Sequence, residues 1–156
     1  MADYFGAGRA RGMAAYLARF AASFGVQGLA PHDRIPNTRR ALAIAEFARD
    51  RGRLHPFRHA AMEAYWRGGR DIEEDSVLAD CAREAGLDPA AALEATRDPA
   101  YRARVDAMGE VARRAGVTGI PTFVMGAHRV VGCQPYEVIA AMAEAERAGG
   151  ARSVGS

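Results

Sequence analysis

Apolar residues recur at three- and four-residue spacing along most of the chain, the period of a helix with one buried face. Residues 9–24 place Met13, Tyr16, Leu17, Phe20 and Phe24 on one stripe, and Gly25 supplies a stop. A Pro-containing loop follows from Leu29 to Asn37. Residues 38–51 then repeat the pattern with Ala41, Ile44, Phe47 and Ala48, ended by Gly52. A third helix is predicted to start at Pro56, a first-turn proline, and to run through Phe57, Ala60, Ala61, Ala64 and Tyr65 to the break at Gly68-Gly69. Asp75 or Ser76 can cap a fourth helix through Ala85, closed by Gly86. Asp88-Pro89 and Asp98-Pro99 each pair a capping acid with a first-turn proline. The second pair opens a long amphipathic helix carrying Tyr101, Val105, Met108, Ala112 and Ala115 before Gly116.

The period changes once. Pro121–Met125 and His128–Val131 are β-rich runs on either side of Gly126-Ala127, and glycine at the first central position suits a type II′ turn. A hairpin with that turn opposes Met125 to His128, so paired numbers sum to 253. Pro121 then falls opposite Gly132, and Ile120 opposite Cys133. Gln134-Pro135 opens a last helix with Val138, Ile139 and Met142 inside, and the final eight residues, 149–156, read as a frayed tail. The fold class expected is mostly α, with six or seven helices and one β-hairpin. The division expected is a helical region over residues 1–115, then a loop, hairpin and helix over 116–148, then the tail.

A chain of 156 residues is enough for one domain with a proper core. With 26% charged and 49% hydrophobic residues, it is globular rather than disordered in composition. It has 35 Ala, 21 Arg and no Lys, so clusters such as Arg39-Arg40, Arg49-Arg51-Arg53 and Arg113-Arg114 carry less meaning than usual and read as solvated helix faces. A net charge of +2 is too small to argue for nucleic acid. No window is apolar for long enough to cross a membrane, and residues 1–12 lack the apolar core of a secretory signal. A cytoplasmic protein is expected, with neither nucleic acid nor membrane as partner.

Two cysteines 52 positions apart, Cys81 and Cys133, form neither a disulfide framework nor a zinc site, and no CxxC occurs. His55 and His59 lie one helical turn apart, but Pro56 and Phe57 between them break the HExxH pattern and no further ligands are identified. No metal and no cofactor is therefore expected. Cys81 lies on the apolar stripe with Val77 and Leu78 and reads as a buried small hydrophobe. Asn37-Thr38 could face a ligand or cap a helix, and Tyr65 and Trp66 read as core and rim.

The run Gly116-Val117-Thr118-Gly119-Ile120-Pro121 resembles the cis-proline segment of thioredoxin-fold proteins, where a helix ends at a glycine and a cis-proline opens a strand. Trp66-Arg-Gly-Gly-Arg-Asp-Ile72, Val77-Leu78-Ala79 and Arg83-Glu84-Ala85-Gly86-Leu87-Asp88 resemble the helical insertion of the DsbA-like family. Gly132-Cys133-Gln134-Pro135-Tyr136-Glu137 is similar to the ending of its cytoplasmic FrnE-type members. The match spans residues 10–146. The sister group, glutathione-dependent 2-hydroxychromene-2-carboxylate isomerases and kappa-class transferases, shares the insertion but has a different ending.

The resemblance implies a DsbA-type helical insertion domain joined to the C-terminal ββα half of a thioredoxin fold. It also implies thiol–disulfide oxidoreductase ancestry. Family members begin with a βαβ unit that carries CxxC, and nothing upstream of Pro31 reads as a strand. The chain is therefore expected to be truncated relative to the family and without full redox activity as it stands. Two other readings are a non-redox peptide-binding or assembly module, and a remnant of the glutathione-dependent sister group.

By this resemblance, Ile120 and Pro121, flanked by Thr118 and Gly132, would hold an extended peptide or a glutathione-like thiol by strand addition. Cys133, beside them at a position the related enzymes usually fill with Ala, is the candidate catalytic thiol. It also lies just before the last helix, whose amide groups favour a thiolate. The Ile120–Pro121 bond is expected to be cis. A hairpin without further strands has an open edge, so a homodimer is expected, burying the face that contains Phe123 and Val131.

Overall fold

The structure, a computed structural model, describes residues 7–32 and 35–150. Among them are seven helices and one two-stranded antiparallel sheet. In chain order these are α1 (Ala7–Ser23), α2 (Arg39–Arg49), α3 (Leu54–Trp66), α4 (Asp75–Glu84), α5 (Pro89–Ala95), α6 (Pro99–Arg114), β1 (Thr122–Met125), β2 (His128–Val131) and α7 (Tyr136–Gly150). Gly149 and Gly150 thus belong to a helix rather than to the expected tail, and residues 151–156 lie outside the described residues. The chain divides within α6 into two compact units, one ending at Ala107 and one starting at Met108.

In the first unit, α2 to α5 close around Ile44, Phe57 and Leu78, the largest fully buried side chains. Ala48, Ala82 and Ala92 are completely buried beside them. Alanine at a helix contact lets the backbones approach closely, which is how an alanine-rich sequence still builds a dense core. Phe47 extends this core to Tyr101 of α6, an edge-to-face pair with ring centres 5.9 Å apart. The helix ends follow the punctuation read from the sequence. Gly52, at φ +67°, lets the Arg53 N–H reach back 2.8 Å to the Ala48 carbonyl and close α2. The Asp88 carboxylate accepts the Ala91 N–H at 2.7 Å, and that of Asp98 accepts the Ala100 N–H at 2.8 Å.

Several local expectations are corrected. Helix α3 starts at Leu54, two residues before Pro56, which still sits in the first turn where its missing N–H costs no helical bond. Neither Asp75 nor Ser76 caps α4. The N-cap is Glu74, without a side-chain cap bond, and Asp75 accepts the Arg40 guanidinium instead. At α2 the capping oxygen belongs to Asn37, which accepts the Arg39 N–H at 3.0 Å, while Thr38 makes no such bond. Of the arginines read as solvated faces, Arg39 and Arg40 tie elements together: Arg39 reaches Asp106 at 2.5 Å, and Arg40 also donates to the Glu73 carbonyl at 2.7 Å. Arg104 likewise reaches Asp50 at 2.7 Å. Among the described residues no helix is long and apolar enough to cross a membrane.

These pairs set an acid limit. Hydrogen bonding from Arg104 holds the Asp50 carboxyl below the usual range, from Arg40 that of Asp75, and from Arg70 and Arg83 that of Asp80. A carboxyl whose folded pKa is depressed stabilises above its unfolded value and loses that contribution as pH falls through the folded one. Thermal melting should therefore be level from about pH 7 to pH 5 and fall below about pH 4. Asp80→Asn should lower the neutral-pH melting temperature and reduce the acid-induced drop. Equal melting temperatures at pH 6 and pH 3 would contradict this account.

The second unit holds the hairpin and α7. The register pairs Thr122 with Val131, Phe123 with Val130, Val124 with Arg129 and Met125 with His128, as the two-residue turn requires. Helix α7 packs on β1 and buries Met142. Because paired residues share a face and neighbours alternate, Phe123 and Val131 lie on opposite faces. The expected dimer face containing both does not exist. A partner covering Val131 would cover Val124, and both are about half exposed.

Candidate functional site: the Ile120–Pro121 loop

Just after α6, Gly116 has a φ of +68° that lets the Val117 N–H bond the Ala112 carbonyl at 3.0 Å and close the helix. The chain then turns through Thr118 and Gly119 to Ile120–Pro121, a cis peptide bond. The Thr122 hydroxyl donates to the Gly119 carbonyl at 2.6 Å and fixes the entry into β1. On the opposing strand, the Gly132 N–H donates to the Pro121 carbonyl at 2.8 Å, carrying the pairing one residue beyond the ladder. Cys133 follows directly and is exposed. The loop thus brings together Ile120, Pro121, Gly132 and Cys133, and Thr118 stands exposed two residues before Ile120. Ile120 is 91% exposed, so an apolar side chain and its backbone stand open to solvent.

Two polar contacts that the sequence reading assigned no role hold this loop. The Arg129 guanidinium donates to the Ala115 carbonyl and, at 3.1 Å, to the Gly116 carbonyl, in the turn that closes α6. The Gln134 amide donates to the Val131 carbonyl at 2.8 Å. An arginine in a hairpin that follows a helix C-terminus was the available signal, since such termini attract cations. At the far end of the hairpin, Gly126 (φ +55°) has no Cβ where the Glu146 carboxylate lies, 1.8 Å from the position a Cβ would take.

The other candidate groups sit elsewhere. Cys81 is buried in the first unit, and burial pushes its thiol pKa up, which makes it a poor nucleophile. His55 and His59 are exposed on α3. Among the described residues no three His, Cys, Asp or Glu side chains cluster as a metal site.

Comparison with known proteins agrees with this architecture. The model of the DSBA-like thioredoxin domain matches residues 4–143. The probable DsbA oxidoreductase of Streptomyces coelicolor is similar at 30% identity with a TM-score of 0.74, over 88% of this chain and 61% of that one. The "putative protein disulfide isomerase" of Nitrosomonas europaea shares the fold at 17% identity with a TM-score of 0.56, over 69% of this chain and 55% of that one. The chain therefore spans less than two thirds of either structure's length. No curated protein matches it. A family match over most of the chain, on a helical unit followed by a hairpin that opens at Pro121, places this protein in the DsbA-like thioredoxin-domain family.

Proposed function

We propose that this chain serves thiol–disulfide exchange as the part of a DsbA-like, FrnE-type protein that holds the substrate, without the full redox cycle in these 156 residues. The observation that carries this reading is the open Ile120–Pro121 loop with an exposed thiol next to it. An extended peptide or a glutathione-like thiol would pair with the backbone at Ile120, and Thr118, Pro121 and Gly132 would line its path. The Cys133 thiolate would attack one sulfur of the incoming disulfide. A new Cys133–substrate disulfide forms, the old sulfur–sulfur bond breaks, and the second substrate sulfur leaves as a thiolate. With Cys81 buried, the chain holds no accessible second cysteine to resolve the adduct, so the exchange stops there.

Incubation with oxidised glutathione, followed by intact mass and peptide mapping, tests this. One glutathionyl group should appear on Cys133 and none on Cys81. The Cys133→Ala protein should gain none. Insulin reduction should stay at the background rate. An adduct on Cys81, no adduct at all, or insulin turnover above background would each contradict the proposal.

A further inference from the structure

Helix α1 carries its aromatic residues outward. Tyr16 and Phe20 stack at 6.0 Å, Phe20 and Phe24 meet edge to face at 5.2 Å, and Tyr16 and Phe24 are about half exposed. The row is two helical turns long, about 12 Å. It borders a groove of about 330 Å³ between α1 and α3, whose half-buried floor includes Leu17, Leu29 and Trp66 and whose exposed rim includes Phe20 and Met62. An exposed apolar groove of this kind marks an interaction surface.

Its charge selects the partner. Residues 7–31 contain Arg9, Arg11 and Arg19 and no Asp or Glu. Arg19 is exposed and has no acidic partner among the described residues. Glu63, on α3, is paired with Arg67 at 3.2 Å. A second copy of this chain would set one cationic helix against another. A flat lipid surface would meet Tyr16, Phe24 and Met62 but not the half-buried floor. An amphipathic helix with an acidic polar face would satisfy both features, its apolar anchors entering the groove and a carboxylate meeting Arg19. We propose that the α1–α3 groove docks an acidic amphipathic helix of a partner protein.

Trp66 is the chain's only tryptophan and lies in the groove, so its emission reports occupancy. The probe is a Trp-free helical peptide with leucine on one face and glutamate elsewhere. The same peptide with lysine for glutamate and phosphatidylglycerol vesicles are the comparisons. The glutamate peptide should shift Trp66 emission to the blue, saturably, and bind about tenfold more tightly than the lysine peptide at low salt. Met62→Glu, at a 54% exposed position that tolerates a charge, should weaken it about tenfold. Arg19→Glu should abolish the preference between the two peptides. The absence of a saturable shift, equal affinity for both peptides, or a shift with vesicles alone would overturn the proposal.

Discussion

Phe57→Ala should lower the stability of the helical unit by about 3–5 kcal/mol, the range for a buried aromatic removed from a core that cannot collapse. The ring is 1% exposed and belongs to the cluster that joins α2, α3 and α4. The cluster is rich in alanine, Ala48 and Ala82 among its members, and alanine has no flexible side chain to swing into a vacated space. A domain of this size is stable by roughly 5–15 kcal/mol, so the loss is a large fraction of the total. Met62→Ala on the same helix is the control, since that side chain is 54% exposed and its removal should cost below about 0.5 kcal/mol. Urea unfolding followed by circular dichroism measures both. A Phe57→Ala loss under about 1.5 kcal/mol would mean that the core is not packed as described.

Arg49→Ala should cost about 2–3 kcal/mol, more than the double change Glu46→Leu with Arg49→Leu. Glu46 is a charged residue inside α2, its side chain 7% exposed. It accepts from Arg49 Nε at 3.1 and 3.2 Å and from an Arg49 terminal nitrogen at 3.0 Å. Removing the guanidinium leaves a buried carboxylate unpaired. Removing both groups leaves no buried charge, and such replacements are often neutral or stabilising. A double variant less stable than Arg49→Ala would show that the pair contributes net stability rather than curing its own desolvation.

Most of the fold was legible because its signals are local. The stripe through Ile44 and Phe47, the glycine stops at Gly52, Gly86 and Gly116, and the acid–proline pairs at Asp88 and Asp98 each act within a few residues. The hairpin register followed from one two-residue turn, and it carried Cys133 to the side of the Pro121 loop. What went wrong locally involved a competing partner. Asp75 has the chemistry of an N-cap, but Arg40, 35 residues away, takes its oxygen. The separation of Phe123 and Val131 onto opposite faces is likewise local, since it follows from the register and the alternation of the strand.

The candidate site was legible only in part. Ile120, Pro121, Gly132 and Cys133 could be placed from the resemblance and the register. Arg129 had a signal, a cation in a hairpin that follows a helix C-terminus, but its acceptors are backbone carbonyls, so only the structure shows that it reaches them. Glu46 gave no warning either, since a glutamate in a helix is ordinarily solvated and only packing shows that this one is buried.

By itself the sequence determined where the helices and the hairpin lie, the pairing within the hairpin and the family resemblance, all of which depend on short-range patterns of polarity, glycine and proline. Only the tertiary structure decided which faces those elements bury. The aromatic stripe of α1 has the spacing of a core helix, yet it faces solvent, because periodicity states that a face is apolar and not that another element arrives to cover it.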